Sequence, residues 1–267
     1  KTMSARSYTF THAVTRKPSA SITEGLRAVD IGTPSLELFQ QHHADYVAAL
    51  KSTGAKVTVL GALDEFPDST FIEDAALCLP EVAITMRPGA PSRLGEAETV
   101  RQALSELYPE VLAIEGPGFI DGGDILVTER EILIGTSART DSAGINELRG
   151  KVAPWGYKVR ELQTPEGVLH FKTDCSLLDE DTILSTMGLA ESGCFEGYKV
   201  VLIPEGEEAG ANAIRFNNLV VLPDGFPKTE QLLRDAGYTI RKVANTEAAK
   251  LDGGMSCLSL RFSPPAA

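Results

Sequence analysis

One unit recurs along this chain: an amphipathic helix closed by a turn, a β-branched strand, a polar stretch, then two short apolar strands. Five helix-to-strand junctions carry it. They run from Lys51-Ser52-Thr53-Gly54 into Lys56-Val57-Thr58-Val59-Leu60, from Glu106-Leu107-Tyr108-Pro109 into Val111-Leu112-Ala113-Ile114, from Pro154-Trp155-Gly156 into Tyr157-Lys158-Val159, from Phe195-Glu196-Gly197 into Tyr198-Lys199-Val200-Val201, and from Asp235-Ala236-Gly237 into Tyr238-Thr239-Ile240. Gly54, Gly156, Gly197 and Gly237 stand where a helix ends in a left-handed turn, and Pro109 stops the second helix. The first helix, behind Thr33-Pro34, has apolar or aromatic residues at Leu36, Phe39, His43, Val47 and Leu50, the three- and four-residue steps of one buried face. Hairpins follow the polar stretches, at residues 75–85, 125–134, 176–184 and 214–222, and a last apolar strand runs to Phe262.

Just ahead of these hairpins stand Glu73 with Asp74, then Asp121, His170, Asn212 and Cys257. A period of roughly 45 residues suits one ββαβ unit, and five units closed around an axis bring the five polar stretches to the centre. The expected fold is therefore α/β: a pseudo-symmetric five-bladed propeller, with helices outside and an active site on the axis. One domain over residues 1–267 is expected, with Met3 as the natural start and the two residues before it left from cloning.

Charge narrows the partners. Acidic residues outnumber basic ones 37 to 25, a formal net charge of −12, which disfavours nucleic acid and anionic membrane and favours a cationic small molecule. There is no apolar run of roughly 18 residues and no signal-peptide layout, so a cytosolic protein is expected. Cys78, Cys175, Cys194 and Cys257 lack paired spacing and read as reduced thiols, Cys78 as a small core residue. His42 and His43 fall outside the repeat phase and read as surface and core-edge positions.

Cys257 and His170 share that phase, and their chemistry suits covalent catalysis, because a nearby imidazolium favours the reactive thiolate. Asp121 in Phe119-Ile120-Asp121-Gly122-Gly123-Asp124 is placed to orient His170, with Asp124 left to the turn. Asp68, Glu73 and Asp74 gather carboxylates beside Phe71 and Ile72, a match for the planar fork of a guanidinium. Two loops present Arg93 and Arg139, so the ligand expected is a zwitterion with a cationic tail, an arginine derivative. No metal-ligand spacing, P-loop or dinucleotide fingerprint occurs, and neither metal nor cofactor is expected.

With these residues assembled, the chain closely resembles the dimethylarginine dimethylaminohydrolases of the guanidino-group-modifying pentein superfamily. The resemblance runs from about Thr11 to Phe262 and is carried by Pro67-Asp68 through Phe71-Ile72-Glu73-Asp74, Arg87-Pro88-Gly89-Ala90-Pro91-Ser92-Arg93, Gly122-Gly123-Asp124, Ser137-Ala138-Arg139-Thr140, Leu169-His170-Phe171-Lys172, and Asp252-Gly253-Gly254 with Cys257. It implies hydrolysis of Nω-methylated arginines to citrulline and a methylamine. It further implies Cys257 as nucleophile and His170 as general acid and base. Arg93 and Arg139 would bind the substrate carboxylate, Asp68 and the backbone carbonyls of Leu26 and Leu251 its ammonium, and Glu73 and Asp74 the guanidinium. Two positions depart from the family: some relatives have Glu at Asp121, and Met255 stands for a more usual Leu. The rival readings are an arginine deiminase-like hydrolase of another guanidino substrate and a non-catalytic pentein-fold binder; dimerisation is left open.

Overall fold

The computed structural model describes residues 7–266, so the expected start at Met3 lies outside the described residues. Five three-stranded sheets form the ring. In the first, Ala76–Cys78 runs antiparallel to Ala83–Thr85, which lies parallel to Val111–Ala113. The same order is kept by Ile125–Val127, Ile132–Thr136 and Val159–Gln163, by Cys175–Leu177, Thr182–Ser185 and Lys199–Leu202, and by Ile214–Phe216, Leu219–Pro223 and Thr239–Val243. The fifth sheet closes the ring with both ends of the chain. Leu260–Phe262 pairs antiparallel with His12–Arg16, which lies parallel to Lys56–Leu60.

Helices make the parallel crossovers. Helix α1, Leu36–Lys51, starts where the Ser35 hydroxyl accepts the Leu38 amide at 3.2 Å, and it buries Phe39, His43, Tyr46, Val47 and Leu50. His42 and His43 are both buried, His43 to 3% exposure, so the surface placement expected for His42 is corrected: the helix is enclosed on more than one stripe. Helices α2, Glu96–Ser105, and α3, Ser142–Val152, fill the next two crossovers. The fourth crossover departs from the repeat, because α4 is the single turn Met187–Ala190. Gly188, Gly193 and Gly197 in this stretch oppose a longer helix, and the last two have positive φ. Helix α5, Pro227–Asp235, restores the pattern, and the short α6, Thr246–Ala249, leads toward Cys257. Gly54, Gly156, Gly197 and Gly237 take φ of 90, 79, 89 and 94°, the left-handed turns expected of them.

The polar stretches are ordered. Each ends in a short 3-10 turn before the first strand of its sheet: Ile72–Ala75, Gly122–Asp124, Phe171–Thr173, Glu208–Ala211 and Ser256–Leu258. The turns press together closely; a Cβ on Gly122 would sit 1.9 Å from the Glu73 carbonyl oxygen. Apolar clusters fill the space outward from them, and no helix among the described residues is long and apolar enough to cross a membrane.

Candidate active site

The five turns set the site residues. Glu73 and Asp74 lie within the first turn, Asp121 and His170 stand at the N-caps of the second and third, Asn212 follows the fourth, and Cys257 lies in the fifth. A cleft of about 180 Å³ is lined by Asp68, Asp74, Arg93, Arg139, His170 and Cys257, together with Leu26 and Leu251. Nearly all the residues expected at the site therefore meet in one place. Arg27, Leu169 and Asp252 also face this cleft, without a role foreseen from the sequence.

Asp121 is fully buried and holds His170 at 2.8 Å, Oδ2 to Nε2. Its other oxygen accepts the Gly89 amide at 3.0 Å, so the Pro/Gly loop before Arg93 locks the carboxylate's orientation. Asp74 accepts the Gly123 amide at 2.9 Å and Arg93 Nη1 at 2.7 Å, and lies 3.8 Å from His170. Burial works against the imidazolium, but Asp74, Asp124 and Asp121 outweigh it and hold His170 up at about 9. Burial also pushes Asp74 upward, yet His170, Arg93 and the Gly123 amide win and keep it below the usual carboxylate range. The oxygen and nitrogen atoms of Asp74, Asp121 and His170 fit within 4.8 Å, a spacing a cation could use only by displacing the histidine proton.

Cys257 is partly open to the cleft. Burial and the negative charges of Glu73 and Asp74 raise its thiol, while the Gly254 amide at 3.4 Å and Asn212 Nδ2 at 3.5 Å act the other way. The resting site is thus a thiol beside an imidazolium and a carboxylate. At the far end, Asp68 accepts the Leu26 amide at 3.0 Å. Burial raises its carboxyl against the opposing pull of Arg93, the Leu26 amide and Arg139.

Two expected residues are deployed differently from what the sequence implies. Glu73 does not face the cleft: its Oε2 binds Lys172 Nζ at 2.8 Å and Arg261 Nη2 at 2.7 Å, and the side chain lines an axial cavity behind the site. Successive residues of a tight turn diverge, so only Asp74 of the pair points to the front. Arg93 lines the cleft but is 3% exposed and clamped by the Glu96 carboxylate at 2.9 and 2.8 Å, besides Asp74. Glu96 was missed, although Arg-x-x-Glu at a helix start is a readable ion-pair spacing. Asp124 serves as a brace, accepting Ser137 Oγ, Thr140 Oγ1 and the Phe171 amide at 2.7, 2.6 and 2.8 Å.

No protein-family model matches the chain. A dimethylarginine dimethylaminohydrolase of Pseudomonas aeruginosa is 35% identical over 254 residues, 95% of this chain and 100% of the relative. One of Streptomyces coelicolor is 33% identical over 258 residues, covering 94% and 96%. A solved Pseudomonas aeruginosa structure of that enzyme, a Cys-to-Ser mutant complexed with citrulline, superposes with a TM-score of 0.93 at 34% identity, covering 96% of this chain and all of the other. The N-terminal domain of ArgZ, a cyanobacterial arginine dihydrolase, is 18% identical with a TM-score of 0.84 and covers 95% and 98%, a likeness of fold alone. A full-length match in sequence joins the same five-bladed frame in structure, and the chain belongs to the dimethylarginine dimethylaminohydrolase family.

Proposed function

We propose that this chain hydrolyses Nω-methylated L-arginine, monomethyl or asymmetric dimethyl, to L-citrulline and methylamine or dimethylamine. The observation that carries the reading is one cleft holding a partly open thiol, an aspartate-held imidazolium and a buried carboxylate, with Asp68 and Arg139 also at its wall. The guanidinium binds against Asp74; the α-ammonium meets Asp68 and the carbonyls of Leu26 and Leu251; the α-carboxylate meets Arg139, while Arg93, at the same wall, is held by Glu96 and Asp74.

Chemistry follows from charge. A thiol raised by burial and by nearby carboxylates ionises, its proton passing to solvent, when a cationic substrate arrives beside it, since opposite charge favours the anion. Sulfur attacks the central guanidinium carbon, forming the C–S bond. His170 gives its proton to the departing amine as the C–N bond breaks, leaving an S-amidino adduct on Cys257. Now neutral, His170 takes a proton from water as the oxygen bonds to the same carbon. Collapse breaks the C–S bond and returns the electron pair to sulfur, while the hydroxyl proton passes to solvent and the urea group of citrulline is released. Asp121 holds the imidazole in place through both steps.

The whole ring acts as one catalytic domain, because each of its five turns sends a residue to the axis. Four free thiols support a reducing, cytosolic setting, and the net charge of −12 disfavours nucleic acid and anionic membranes as partners. The test is product analysis with a panel of Nω-substituted arginines and with free arginine. Citrulline together with methylamine or dimethylamine is expected, and Cys257→Ser abolishes both. Undiminished turnover by Cys257→Ser, or release of ammonia from arginine alone, overturns the reading.

A further inference from the structure

The fourth turn also sends a polar residue to the axis, and the mechanism above leaves it idle. Asn212 is 5% exposed, and its Oδ1 accepts the Ser256 amide at 3.0 Å and the Ser256 hydroxyl at 2.7 Å. A backbone amide can only donate, so the oxygen end of the Asn212 side chain is fixed on Ser256 and its NH₂ end faces Cys257. Nδ2 lies 3.5 Å from the sulfur, and the Gly254 amide approaches that sulfur at 3.4 Å. The Asn212 carbonyl also accepts the Met255 amide at 3.1 Å, which ties the fourth turn to the loop carrying the thiol. The double glycine takes on a reason here: a Cβ on Gly254 would stand 2.3 Å from both Cγ and Nδ2 of Asn212.

We propose that Asn212 is a catalytic residue, its amide N–H and that of Gly254 forming a two-donor cradle that stabilises the Cys257 sulfur as an anion. The cradle acts twice. It favours the thiolate that attacks the guanidinium, and it stabilises the negative charge that returns to sulfur when the second tetrahedral species collapses. Donors fixed in advance cost no reorganisation when the charge develops, which is the general advantage of such sites. Around this sulfur the case is sharper, because Glu73 and Asp74 oppose the anion.

This assignment rests on Cys257 being the nucleophile, and the test separates the two claims by reading the thiol without substrate. The rate of iodoacetamide alkylation, localised to Cys257 by peptide mass, is followed against pH in wild type, Asn212→Ala, Asn212→Asp and Ser256→Ala, with folding checked by near-ultraviolet circular dichroism. Asn212→Asp keeps an acceptor for Ser256 but sets a carboxylate oxygen against the sulfur, and it is the nearly isosteric variant should Asn212→Ala not fold. Alkylation at about pH 9 is expected to slow by about tenfold or more in both Asn212 variants, as the profile moves toward alkali, and to stay unchanged in Ser256→Ala. The kcat for dimethylarginine falls by about 10- to 100-fold while KM changes little. An alkylation profile unmoved in the folded Asn212 variants makes Asn212 a fastener for Ser256 and overturns the assignment, even if turnover falls. Activity surviving in Cys257→Ser would instead overturn the nucleophile.

Discussion

Arg93 and Arg139 look alike in the sequence, each at the end of a polar loop, yet their surroundings give them different work. Arg93 spends Nε and Nη2 on Glu96, Nη1 on Asp74 and more of Nη2 on the carbonyls of Asp68 and Phe71. Arg139 has a side chain 17% exposed, and its Nη1 stands 3.7 Å from Asp121. Arg93→Ala strands two buried carboxylates and should lower unfolding free energy by about 3–5 kcal/mol, measured by urea denaturation. Arg139→Ala should unfold at nearly the wild-type midpoint but raise KM for methylarginine by about tenfold or more, with little effect on a decarboxylated analogue. Equal stability losses in both variants would erase the distinction. Residue type and phase along the repeat were enough to bring Cys257, His170 and Asp74 to one cleft, with Asp121 buried behind the histidine. They could not reveal direction: Glu73 is next to Asp74 in sequence, but it turns backward to Lys172 and Arg261.

At the scale of elements, the turns hold the blades in register. Gly122 has no room for a side chain, since its Cβ would meet the Glu73 carbonyl at 1.9 Å and the Ala76 carbonyl at 3.2 Å. Neither is a flexible side-chain tip that could swing aside. Gly122→Ala should therefore part the first two turns, lower Tm by several degrees and reduce activity through Asp74 and Asp121. Gly150 is the control: it lies inside α3, and a Cβ added there would meet nothing within 4 Å, so Gly150→Ala should be neutral or stabilise by about 0.5–1 kcal/mol. A differential scanning calorimetry comparison in which both substitutions behave alike would refute this account of the turns. Hairpins and glycine stops were legible because they depend on local apolar runs and on φ. The closing strand at His12–Arg16 was less so, for its partners Leu260–Phe262 and Lys56–Leu60 are chosen by ring closure across the whole chain. The one-turn α4 also escaped, because the repeat suggested a helix that the glycines of that stretch do not support.

For the whole molecule, the consequence of closing five blades on one axis is that a single proton acts on the entire ring. His170 is contacted by Asp121 from the second turn and lies near Asp74 from the first, while Asp124 accepts the amide of the residue that follows it. In the unfolded chain its imidazole titrates at about 6.5, whereas the folded protein holds the proton up to about 9. The folded state therefore binds this proton more tightly. Its stabilisation is fully present below 6.5 and disappears as pH rises through about 9. Across that window one such group makes unfolding free energy fall by at most about 1.4 kcal/mol for each step of one in pH. Asp74 works with the opposite sign, its stabilisation being present above the usual aspartate range and lost in acid. Cys257 and Tyr46, both raised in the fold, add alkaline losses that begin at higher pH than that of His170. Urea denaturation of wild type and His170→Gln from about pH 6 to 10 isolates the histidine. Wild type should lose stability steadily between 6.5 and 9, while His170→Gln, less stable at the acid end, should be nearly flat until the thiol and phenol begin to titrate. Parallel curves for the two proteins would mean that the proton on His170 does not hold the turns together, and that the carboxylates around it are stabilised chiefly by Arg93 and the backbone amides.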